Sequence, residues 1–185
     1  MPLTRALPAF LLLGAFLAGC GHLIYTGGPY RGRVVDAETK QPLAGAAVLA
    51  VWLWEGPGLG HPREGLHDVL EILTDADGEF TIPQKTHFSL SGQIGEPHII
   101  IYYPGYGFFP MFQVRPTGAA LDSAFHDYTE VELSQWKTRD EREWNTSIPF
   151  LAGDAPNEKM PNLIRLVNQA RKGLGLPPLR TGNAK

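Results

Sequence analysis

Gly32-Arg33-Val34-Val35-Asp36, then Thr39, Pro42-Leu43 and Gly45-Ala46, then the apolar run from Val48 to Trp54, and last Thr74-Asp75-Ala76-Asp77-Gly78-Glu79-Phe80 decide the fold. They read as strand, turn, strand, intervening insertion, turn and strand. Asp36, Pro42 and Gly45 set turns by three different means: a side chain that bonds its own backbone, a fixed φ and a free φ. Asp77-Gly78 suits a tight turn in which glycine takes a positive φ without strain. Phe80 and Ile82 then alternate as in a half-buried strand.

The same residues resemble the carboxypeptidase regulatory-like domain, a transthyretin-type β-sandwich. Residues 99–103 are similar to its apolar strand, Pro104-Gly105-Tyr106 to its Gly-Tyr turn, and Val131 with Leu133 to its last strand. The resemblance spans residues 31–134 in pieces. It implies a mostly β chain, a single sandwich, but no activity, since this fold hosts proteins with no common function. Two departures stand out. Lys40 replaces the family's glycine, and a left-handed non-glycine residue costs about 1 kcal/mol, which leaves open another shape for that turn. The second departure is the long insertion between Trp54 and Leu73.

The N-terminus carries an address. Residues 1–19 have one charge, Arg5, an apolar run over 6–18 broken by Pro8, and small residues at the end. This is the pattern of a signal segment, too short for a bilayer span of about 20 residues. Leu17-Ala18-Gly19-Cys20 resembles the lipobox of bacterial lipoproteins, which implies cleavage before Cys20 and acylation of that cysteine. Gly21 stands where inner-membrane lipoproteins carry Asp, so the resemblance points to a cell-envelope protein of the outer membrane. The alternative is an ordinary secretory signal that leaves Cys20 near a free end. Several acyl chains give a stable anchor because each buried methylene contributes about 0.8 kcal/mol.

Composition narrows the function classes. The chain has 16 basic and 19 acidic side chains among 185 residues, a net charge of −3, and one cysteine. A chain beginning at Cys20 loses Arg5 and carries −4. Mild acidity without a Lys/Arg cluster excludes nucleic acid as a partner, since phosphate binding needs a basic surface. A lone cysteine permits no intrachain disulfide, so packing alone must hold an exported domain. Residues 20–30, with Gly27-Gly28-Pro29, read as a short tether.

Residues 46–54 and 99–103 are apolar on both alternating faces, which places them centrally with both sides covered. Val131 and Leu133 alternate with Glu130 and Glu132, the pattern of an outer strand. The cover for the central strands lies in the extension 135–185. Within residues 157–174, Met160, Leu163, Ile164, Val167, Ala170 and Leu174 recur at steps of three and four, with Asn157 placed to cap and Gly173 or Gly175 to terminate. This amphipathic helix is stable only when docked. Its polar face is too weakly basic for a membrane-surface helix. A shorter charged helix is expected over residues 134–144, with Trp136 and Trp144 facing inward.

Chemistry is sought in the insertion, residues 55–72, read as a surface loop over Trp52 and Trp54. His61, His67 and Asp68 are the candidate ligand or metal set, with His98 as a further donor. His61 and His67 lie six apart, without the HxH or HxxxH spacing that marks a metal site. Long loops on rigid β scaffolds also carry binding, here to an envelope protein or a glycan. A calcium loop over Asp75 to Gly78 fails, because Leu73 and Gln84 stand where acids are required. Parts of the chain resemble intradiol dioxygenases, but Ile100 replaces the second histidine beside His98, so Tyr102 and Tyr103 read as strand residues rather than ligands. Hydroxyisourate hydrolase ends in Tyr-Arg-Gly-Ser, and nothing in residues 181–185 matches it. Asp140 to Glu143 is a solvated charge run, and a bacterial lipobox discounts Asn145-Thr146-Ser147 as a glycosylation site.

The expectation is therefore a lipid-anchored, non-catalytic binding or scaffold module. No cofactor is implied, and its partners are membrane lipid through Cys20 and an envelope protein or glycan. A metal-dependent enzyme and a subunit of an envelope assembly are the alternatives.

Overall fold

In the computed structural model, residues 24–58, 63–90, 92–110, 128–147 and 155–179 are described. Cys20 and His61 lie outside the described residues. Among the described residues nine strands form: β1 Ile24–Gly27, β2 Tyr30–Asp36, β3 Ala47–Gly56, β4 Arg63–Leu73, β5 Glu79–Ile82, β6 Lys85–Phe88, β7 Gln93–Ile94, β8 His98–Tyr102 and β9 Thr129–Leu133. Helix α1 spans Arg139–Trp144, a 3₁₀ turn Asn157–Lys159, and helix α2 Pro161–Gly173.

Three layers result. One sheet has the order β5-β2-β9; in the other, β3 is flanked by β4 on one side and by β7 and β8 on the other. Strands β1 and β6 form a separate two-stranded ribbon. Because side chains alternate across a strand, β3 feeds two cores. Val48, Ala50 and Trp52 join Val34, Phe80, Ile82, Ile99, Ile101, Val131 and Leu133 between the sheets. Ala47, Leu49 and Val51 join Ile100, Tyr102, Met160, Leu163, Leu166 and Val167 under α2. The mostly β sandwich and its helical cover agree with the apolar patterns of residues 46–54 and 157–174. Strand β9 sits at a sheet edge, with Val131 and Leu133 buried and Glu130 exposed.

The turns follow their residue chemistry. Asp75 Oδ1 accepts the N–H groups of Asp77 (3.0 Å) and Glu79 (2.8 Å), and Gly78 has φ 74°. Asp36 Oδ1 accepts from Glu38 (2.8 Å) and Thr39 (2.7 Å), while Oδ2 accepts the Tyr106 hydroxyl at 2.7 Å. Lys40 keeps the left-handed conformation, φ 60°, so the turn retains the shape a glycine would give it. Its Nζ meets Glu132 of β9 at 2.5 Å, an exposed ion pair of the kind that contributes at most about 1 kcal/mol.

Several expectations are corrected. The insertion is not a loop throughout, because Arg63–Leu73 pairs along β3 as an eleven-residue strand. Ile24–Gly27, inside the stretch read as tether, pairs with β6 and belongs to the folded body. Helix α1 is only six residues long, and Trp144 is 67% exposed rather than inward. Thr138 caps α1 through a reciprocal bond pair with Glu141, which starts the helix five residues after Ser134. Asn157 does not cap α2. Pro161 opens that helix, and the carboxylate of Glu71 on β4 accepts the N–H groups of Asn162 (2.9 Å) and Leu163 (2.6 Å). A helix with no local cap is thus closed by a strand it packs against.

Candidate functional site

Two of the residues singled out by sequence, His67 and Asp68, stand at a bulge in β4. Trp52 pairs with Asp68 and Leu53 with Leu66, so His67 is left without a partner in the ladder. A bulge of this kind re-aims side chains. Gly65, just before it, allows the Trp54 indole to lie against the strand: a Cβ there would stand 2.5 Å from Trp54 Nε1.

Asp68 holds two cations. Its Oδ1 lies 2.5 Å from Lys159 Nζ, its Oδ2 contacts Lys85 Nζ, and Oδ1 also accepts the Val69 N–H at 2.9 Å. Burial alone would raise this carboxyl, but the Lys159 and Lys85 ammonium groups and the Val69 N–H bring it down to about 2. One carboxylate therefore ties β4 to β6 and to the 3₁₀ turn before α2. With three donors on it, it is ionised near neutral pH and a poor general base.

His67 faces a second imidazole. The His87 ring is 5.1 Å from that of His67, centroid to centroid, and 4.6 Å from the buried Trp52 indole. Tyr25 of β1 stacks on the same ring at 6.3 Å. Lys85 Nζ lies 5.4 Å from the Trp52 ring centre, a cation–π contact. His87 is 4% exposed and its Nε2 has no hydrogen-bond partner. Burial, followed by the charges of His67 and Lys85, pushes its pKa below the ordinary histidine value, against the opposing pull of Asp68. Neutral His87 is thus the packed form, holding the β1–β6 ribbon on β3 and β4.

His98 stands on β8, with β3 between it and β4. Tyr102 is buried in the core under α2, and Tyr103 packs edge-on against Tyr106 at 5.4 Å. Among the described residues no group of three or more His, Cys, Asp or Glu side chains is placed to hold a metal ion. His67 and Asp68 do come together, but the groups they meet are His87, Lys85 and Lys159. Sequence reading missed those three, since they lie 17 to 91 residues from Asp68 or in short strands with little periodic signal. Compared with family models, curated proteins and solved structures, the chain matches none.

The burial of His87 sets a pH dependence. Its folded pKa lies below its unfolded value, about 6.5, so the unfolded chain binds more protons below that pH and stability falls as the pH drops. The urea midpoint is expected to be lower at pH 5 than at pH 7.5. In His87→Phe that difference should shrink; an unchanged pH slope in the variant would remove His87 as its origin.

Proposed function

We propose that the chain is a lipid-anchored, exported module of the cell envelope whose β-sandwich, of carboxypeptidase regulatory-like type, binds or scaffolds and does not catalyse. The observation that carries this reading is the sequence Leu17-Ala18-Gly19-Cys20, directly after an apolar signal-like run and containing the chain's one cysteine. Two features of the folded body support it. The first strand begins at Ile24, four residues after Cys20, so a body anchored there stays within about 14 Å of its lipid. The polar groups at the β4 bulge are engaged with one another as fasteners, with Asp68 shared between two lysines. Among the described residues no helix is long and apolar enough to cross a membrane.

Intact mass of the membrane-extracted protein, beside a Cys20→Ala variant, tests the anchor. The expected result is loss of residues 1–19 with added acyl mass in the native sequence, and a product without acyl mass in the variant. An unacylated native product would overturn the anchor. For the non-catalytic part, metal analysis of the purified protein should find no stoichiometric ion. Stoichiometric zinc or iron lost on His67→Ala would favour the metal-dependent alternative built on His61, His67 and Asp68.

A further inference from the structure

The β1–β6 ribbon has two unlike faces. Tyr25 and His87 point inward, to Trp52 and the Tyr30 hydroxyl, the latter 2.6 Å from that of Tyr25. On the outward face, Thr26 and Thr86 pair through their hydroxyls at 2.9 Å. The next outward pair toward the N-terminus is Ile24 opposite Phe88, 60% and 56% exposed. Leu90, two residues beyond Phe88, is 79% exposed. The ribbon's outer surface thus changes from hydroxyls to large apolar side chains along its length, and the apolar end is the one that leads to Cys20.

Six exposed large apolar side chains are found among the described residues, and three of them stand at this tip. Isolated exposed apolar residues need no explanation, but a group of aliphatic and aromatic side chains beside an attachment point does. From Cys20 to Ile24 the chain reaches at most about 14 Å, less than half the thickness of a bilayer's hydrocarbon core, about 30 Å. Any lipid on Cys20 therefore brings the tip to the membrane surface.

We infer that Ile24, Phe88 and Leu90 form a membrane-seating tip that enters the lipid interface beside acylated Cys20. This inference rests on the anchor proposed above and adds an orientation to it. The occupant is the lipid surface, because the apolar end of the ribbon coincides with the end that the anchor holds. A seated tip adds a second point of attachment, which fixes which face of the sandwich looks away from the membrane. The seat relies on apolar contact, so it does not require anionic lipid.

The test uses the full acylated chain in phosphatidylcholine vesicles. A nitroxide is placed at Leu90→Cys, with Lys137→Cys on the exposed α1 side as control; acylation blocks Cys20 from labelling. At position 90, collisions with a water-soluble nickel complex are expected to be several-fold rarer than at 137, and collisions with oxygen more frequent. In an Ile24→Ser/Phe88→Ser background the protection at 90 should fall while the protein still sediments with the vesicles. Since both serines replace exposed side chains, the fold is not at stake. Equal nickel accessibility at 90 and 137 in acylated protein overturns the seat. Protection in native membranes but not in lipid vesicles also overturns it, in favour of a protein partner. Intact mass of the same sample reports acylation separately, so a missing anchor is distinguished from an unseated tip.

Discussion

Leu163→Ala is expected to lower the unfolding free energy by about 2–5 kcal/mol, as for other fully buried leucines truncated to alanine. Leu163 is fully buried in the core that α2 shares with Ala47, Leu49 and Val51. The substitution removes packing at the centre of the apolar face by which this 13-residue helix docks on β3. An isolated helix of that length is marginal in water, so its order depends on this contact. The urea midpoint should fall, and limited proteolysis should cut near the start of α2 sooner than in the parent. Leu163→Met, which nearly preserves volume, should cost less than about 1.5 kcal/mol. Equal losses for both substitutions would mean that α2 does not pack in this register.

Asp36→Ala is expected to cost about 3 kcal/mol, because a 7% exposed carboxylate leaves three donors behind it. Those donors are the Thr39 and Glu38 N–H groups and the Tyr106 hydroxyl. Tyr106→Phe should cost less, since it removes one donor and leaves the turn intact. A double-mutant cycle should give a positive coupling between the two sites; additive losses would mean the hydroxyl bond contributes nothing. The bonds also set an acid limit. The Thr39 N–H, against the effect of burial and with help from Tyr106 and Glu38, holds the Asp36 carboxyl below the usual carboxylate range. The stability it contributes is complete above the unfolded value, about 3.9, and is lost as the pH falls through the lower folded value. Burial, followed by Asp36, in turn pushes the Tyr106 phenol up to about 12, so it remains a donor throughout the neutral range.

The turns and the covered strands were legible because their causes are local. Asp36, Asp75 and Gly78 bond or bend the backbone within four residues, and residues 47–53 bear their two buried faces in plain order. The strand β4 was not legible. Its bulge at His67 puts Leu66 and Val69, three apart, on the face toward α2, while Leu70 and Ile72 pack toward the other core. A shift of phase inside one strand erases the period of two by which strands are recognised. Trp144 misled for a related reason: six helical residues are too few for a stripe to establish a buried side.

By itself the sequence determined a mostly β sandwich, its principal turns, the helix that covers the central strands, and an expected address at Cys20. Each of these rests on residue chemistry or periodicity acting over a short span of chain. Only the tertiary structure decided that Glu71 caps α2, that Asp68 joins Lys85 and Lys159, and that His87 lies buried beside His67. These pairings depend on strand register and layer packing, and Glu71 and Leu163 stand 92 residues apart. Charge and hydrogen-bonding capacity are properties of residues, but which partner meets them is settled by the packing of distant segments.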